Sequence, residues 1–125
     1  MSTNELLRPE TTYQAVLGRV IVKVRKGQGM EQGLLAKNVG VTQSTWSRIE
    51  RGESSLNIEQ LARASDFLGI KPSYILSETE NAVESLELQG VIVNKNKNTT
   101  NDNHGIALIG AAALGALVAT AIAKK

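Results

Sequence analysis

The sequence predicts an all-α fold: five short helices bundled over residues 11–76, then a polar linker and an apolar C-terminal helix. Three observations lead there. Apolar side chains recur at intervals of three and four through the first part of the chain, which is the spacing of one face of an α-helix. Glycines and cap-forming Thr and Asn residues cut that pattern into segments of helix length. The strict alternation of a half-buried strand fails where the composition most favours one, at Val20-Ile21-Val22.

Each element has its own signal. Thr12 or Thr11 caps the first helix, with Glu10 nearby to suit the dipole. Its stripe is Val16, Leu17, Val20, Ile21 and Val24, and Lys26-Gly27-Gln28-Gly29 stops it. Leu34, Leu35 and Val39 mark the second helix, over about 31–38, closed by Gly40. Thr42 caps the third, over 43–51, where Trp46 and Ile49 stand three apart as core residues and Gly52 follows. Asn57 with Gln60 makes a capping box for the fourth, whose inner face is Ile58, Leu61, Ala62, Phe67 and Leu68. Pro72 opens a last short turn with Tyr74, Ile75 and Leu76.

Outside that region the texture changes. Residues 1–10 read as a flexible N-terminus. Residues 77–104 read as a linker, acidic at first and then Asn/Lys-rich, with a weak helical hint at Ala82, Val83 and Leu86. The run 94–103 contains no apolar side chain and cannot offset its ordering entropy by burial. Residues 105–123 carry no charge and end in the basic pair Lys124-Lys125. A helix of that length reaches about 28 Å against a bilayer core of about 30 Å. Ala107, Ala111, Gly115, Ala119 and Ala123 also form a small-residue row suited to close helix packing. Membrane insertion, self-association and docking on a partner protein are all open to this segment, and its length favours the first.

Composition excludes much chemistry. With 125 residues the chain holds one small domain plus appendages. It has no cysteine and one histidine, His104, so neither a thiolate metal site nor a Ser-His-Asp triad fits it. Its acids and bases form no convergent cluster, so no enzyme, cofactor, metal or small-molecule substrate is expected. Residues 1–76 carry ten Lys/Arg against seven Asp/Glu, a balance compatible with nucleic acid. The first residues lack the apolar run of a secretory signal, which makes the cytoplasm the expected compartment.

The most specific pattern lies between Gln32 and Gly52. Ala36, Gly40, Val41 and Ile49 supply the small residue, the turn glycine and the apolar wedges of two helices crossing through a tight turn. The outward face of the second of these helices then carries Gln43, Ser44, Ser47, Arg48 and Arg51, side chains that hydrogen-bond base edges and phosphates. The stretch from GLLAKNVGVTQSTWSRIERGESSLNIEQLARASDFLGI resembles the Cro/C1-type (XRE-family) DNA-binding domain of lambdoid phage repressors. That resemblance implies a five-helix, lambda-repressor-like domain that binds double-stranded DNA as a homodimer. It implies that Gln43, Ser44, Ser47 and Arg48 face bases, that Gln32, Thr42 and Arg51 meet phosphates, and that Arg25 and Glu50 form an internal ion pair. Gly33 inside the second helix and Trp46 in place of a medium aliphatic residue depart from the family pattern. The function expected is a transcriptional regulator, a repressor, located at the nucleoid and tethered to the inner membrane if 105–123 inserts. The alternative is a protein-docking module of antitoxin or immunity type, with the tail in a membrane or a partner.

Overall fold

The computed structural model describes residues 8–95, 107–108, 114–116 and 118. Strand β1 (Pro9–Thr12) runs straight into helix α1 (Tyr13–Gly27). The switch falls at Thr12, whose backbone stays extended while its hydroxyl accepts the Ala15 N–H at 3.1 Å. Helices α2 (Gln32–Val39), α3 (Gln43–Glu50), α4 (Ile58–Leu68) and α5 (Pro72–Leu88) follow, then strands β2 (Ile92–Asn94) and β3 (Ala107–Leu108). The predominantly helical reading holds, and a small sheet is added to it. Its order is β2-β1-β3 and both pairings are parallel, with Glu10 opposite Ile92 and Pro9 opposite Ala107.

One core joins the helices. Val16, Val20 and Ile21 of α1, Leu35 and Val39 of α2, Trp46 and Ile49 of α3, Leu61 and Leu68 of α4, and Ile75 and Leu86 of α5 are buried together. The expected inner face of α4 needs correction. Its buried stripe is Leu61, Ala64, Ser65 and Leu68, while Ile58 is 79% exposed and Phe67 36% exposed. Ile58 is the first residue of α4 and points away before the helix meets the core.

Three expected boundaries also move. Residues 9 and 10, read as flexible, belong to the central strand, and Arg8 Nε donates to the Gly90 carbonyl at 3.0 Å. The domain does not stop at Leu76, because α5 continues to Leu88 on a buried stripe of Ile75, Thr79, Ala82 and Leu86. Thr79 sits in that stripe at no cost in unpaired polarity, since its hydroxyl donates to the Ile75 carbonyl at 2.8 Å. Residues 92–94 of the expected linker form β2, whereas its residues 96–104, His104 included, lie outside the described residues.

The tail is corrected in the same way. Residues 107–108 are a strand, so 105–123 is not one continuous helix. Residues 114–116 and 118 are helical, and Leu114 and Val118 are buried in the common core. Among the described residues no helix is long and apolar enough to cross a membrane. Of the apolar side chains read as a bilayer signal, Leu114 and Val118 fill the domain's own core, while Ala116 is exposed.

Tyr13, the first residue of α1, donates its phenol to Glu80 Oε2 of α5 at 2.6 Å. Burial, and then the hydrogen bond to and the charge of Glu80, push its pKa from 10.0 up to about 12. The folded state thus holds the phenol proton more tightly than the unfolded chain does. The resulting stabilisation is complete below the unfolded pKa and is lost as pH rises through the folded one. In a Tyr74→Phe variant, the absorbance rise of the remaining phenolate at 295 nm should be centred near pH 12. A midpoint at 10.0, the ordinary value, would mean that Tyr13 and Glu80 are not joined.

Candidate nucleic-acid interface

The turn between α2 and α3 sets the geometry. Gly40 closes α2 in the left-handed region (φ 96°), and the Gly40 and Val41 N–H groups both return to the Ala36 carbonyl, at 2.9 and 3.0 Å. A side chain is strained at that φ, so glycine ends the helix there. Thr42 then starts α3, its hydroxyl oxygen accepting the Thr45 N–H at 3.2 Å. Trp46, Ile49 and Glu50 turn inward, while Gln43, Ser44 and Arg48 are exposed and Ser47 is half-buried. The outward face of α3 is therefore polar along its whole length.

That face is held from behind by a buried carboxylate. Arg25 reaches Glu50 with two donors, Nε to Oε2 at 2.8 Å and Nη2 to Oε1 at 3.0 Å. Gln32 Nε2 donates to Oε1 at 2.7 Å and Trp46 Nε1 to Oε2 at 2.8 Å. Each oxygen thus accepts two hydrogen bonds, and a carboxylate 2% exposed has its four acceptor positions filled. Arg25 Nη1 also donates to the Met30 carbonyl at 2.9 Å, fixing the turn between α1 and α2. One ion pair thereby ties three helices together.

The network extends outward through one glutamine. Gln32 Oε1 accepts from Gln43 Nε2 at 3.3 Å, so the first outward side chain of α3 is oriented from the buried Glu50. Gly33 permits this arrangement, since a Cβ there would lie 3.1 Å from Gln43 Oε1. The helix-weakening glycine in α2 keeps space for that amide.

Other side chains named from the sequence are engaged differently. The Thr42 hydroxyl donates to Thr45 Oγ1 at 3.0 Å, so its proton is used within the cap. Arg51 bonds Ser47 Oγ and pairs with Glu53 at 2.9 Å. That hydrogen bond raises the Arg51 pKa and lowers that of Glu53. Arg19 escaped the sequence reading, because its partner is a backbone carbonyl. Its Nε and Nη2 donate to the Glu50 carbonyl at 3.2 and 2.7 Å, at the C-terminal end of α3, where a cation suits the helix dipole.

The helix-turn-helix family model matches residues 21–75, from the middle of α1 into α5. The chain carries an XRE-type helix-turn-helix domain. The domain is similar in structure to the clp gene regulator ClgR of Corynebacterium glutamicum, with a TM-score of 0.60 and 25% identity over 62% of this chain and 82% of that one. Two relatives in Sinorhizobium fredii, the uncharacterized HTH-type transcriptional regulators y4wC and y4aM, are each 30% identical, over 89 and 70 residues. Those matches cover 70% and 56% of this chain, which spans 62% and 49% of the two relatives. Within the XRE-type domain, α2 and α3 are the two helices of the motif, and β1, β2 and β3 lie outside the matched span.

Proposed function

We propose that this protein is a DNA-binding transcription regulator, a repressor, that presents α3 to the major groove as a homodimer on the nucleoid. The exposed polar face of α3, held from behind by the Glu50 network, carries the reading. Gln43, Ser44, Ser47 and Arg48 are the base-facing side chains, and Arg48 suits a bidentate contact with guanine O6 and N7. Gln32 and Arg51 lie beside them for backbone phosphates, whereas Thr42 serves through the rigid start it gives α3. Two copies related by a two-fold axis would meet half-sites about 34 Å apart. The similarity to regulators of the same domain type supports this reading.

Selection of bound duplexes from a random pool by the full chain tests it. A two-fold symmetric consensus is expected, and retention of all sequences alike would reject base reading. On the selected site, Arg48→Ala should lose about 1–3 kcal/mol of discrimination at one base position per half-site. Fluorescence anisotropy against each single-base variant measures that loss. An equal weakening at every position would assign Arg48 to the backbone instead.

A further inference from the structure

A concave surface lies beside the outward face of α3, in the groove between α1 and α3, with a volume of about 230 Å³. Arg19 and Lys26 line it from α1, Ser47 and Arg51 from the end of α3, and the Arg25–Glu50 pair stands within it. Its charge is unevenly matched. Glu50 is saturated by donors from Arg25, Gln32 and Trp46 and spends its charge on Arg25. Arg51 is paired with Glu53, but among the described residues neither Arg19 nor Lys26 has an ion-pair partner.

Arg19 is the informative member. It is half-buried, and the two donors it uses go to a neutral carbonyl. Its stem is covered on one side by the tail, for a Cβ at Gly115 would lie 3.7 Å from Arg19 Cδ. Burial lowers the pKa of this guanidinium, and the nearby Arg25 and Arg51 charges act in the same direction against Glu50. A half-buried cation among other cations is stabilised by an anion that supplies several acceptors at once. We infer that the α1–α3 groove is a seat for a phosphate-class oxyanion, held by Arg19 and Lys26. A DNA backbone phosphate flanking the major groove is one source of that group and free inorganic phosphate the other. The first source rests on the function proposed above; the anion seat itself does not.

Two measurements on the full chain test it. The first follows the Arg19 Nε–Hε resonance during titration with inorganic phosphate and, separately, with a mixed-sequence duplex about three helical turns long. The second compares the salt dependence of duplex binding for the parent and for Lys26→Gln, an exposed position where folding is not at risk. If the seat takes a backbone phosphate, the duplex moves Arg19 and the log–log salt slope of Lys26→Gln falls by about 0.9. If it takes the free ion, phosphate moves Arg19 saturably in the low-millimolar range while the slope stays unchanged. An Arg19 signal indifferent to both ligands, with an unchanged slope, overturns the inference; duplex binding through α3 could then still stand. Absence of any duplex binding would count against the proposed function, and the phosphate titration alone would decide the groove.

Discussion

Replacing Glu50 with alanine is expected to lower the unfolding free energy by about 3–5 kcal/mol, the usual cost of leaving a buried charge without its partner. The Arg25 guanidinium, 9% exposed at its side chain, would lose its carboxylate while Gln32 and the Trp46 indole lost an acceptor. Trp46 is the single tryptophan of the chain and is fully buried, so its fluorescence in a urea titration reports the transition directly. Glu50→Gln should recover little of the loss. An amide turns an NH2 group toward donors that the carboxylate oxygen accepted. Gln43 would also lose its tether, so a variant that still folds should bind DNA with weaker discrimination. A loss below about 1 kcal/mol would place the pair among ordinary surface ion pairs.

Gly18→Ala should destabilise even though intrinsic propensity favours alanine in a helix by about 1 kcal/mol. Gly18 is buried in α1 where α3 crosses it, and a Cβ there would stand 2.3 Å from the Glu50 carbonyl oxygen and 2.8 Å from that of Ile49. Both obstacles are backbone, so relief requires α1 and α3 to separate. Overpacking of this kind costs about 1–3 kcal/mol and sometimes more. The same displacement would disturb Arg19, the next residue, whose guanidinium holds that same Glu50 carbonyl. Gly27→Ala provides the control, since it lies in the same helix with no atom within 4 Å of its added Cβ. Thermal unfolding of the two variants should therefore shift in opposite directions. A stabilised Gly18→Ala protein would contradict the close crossing of α1 and α3.

The sequence was most legible where structure is local. Thr12, Thr42 and the Asn57–Gln60 box start their helices through hydrogen bonds spanning three residues, so a short window contains the whole signal. Trp46 as core followed from its spacing to Ile49. Resemblance brought Arg25 and Glu50 together, as residue spacing alone could not. Long-range features were hidden. Strand β1 is only four residues long, too few to establish a period, and its partners are distant in sequence. Helix α5 was obscured because a threonine and an alanine occupy two of its buried positions. In the tail, hydrophobicity was plain but its destination was not: the same side chains can face lipid or fill a protein core, and Leu114 and Val118 do the latter.

The parallel sheet has a consequence for the order of folding. Both neighbours of β1 follow helices α1–α5, with Pro9 opposite Ala107 and Thr12 opposite Asn94. On the ribosome, the earliest of these segments therefore emerges long before anything can zip onto it. The helices, built on near-neighbour contacts, can assemble while synthesis proceeds, whereas closure of the sheet waits until residues 92–94 and 107–108 have been made. Until that moment the nascent chain carries a bare strand edge beside a nearly finished helix-turn-helix.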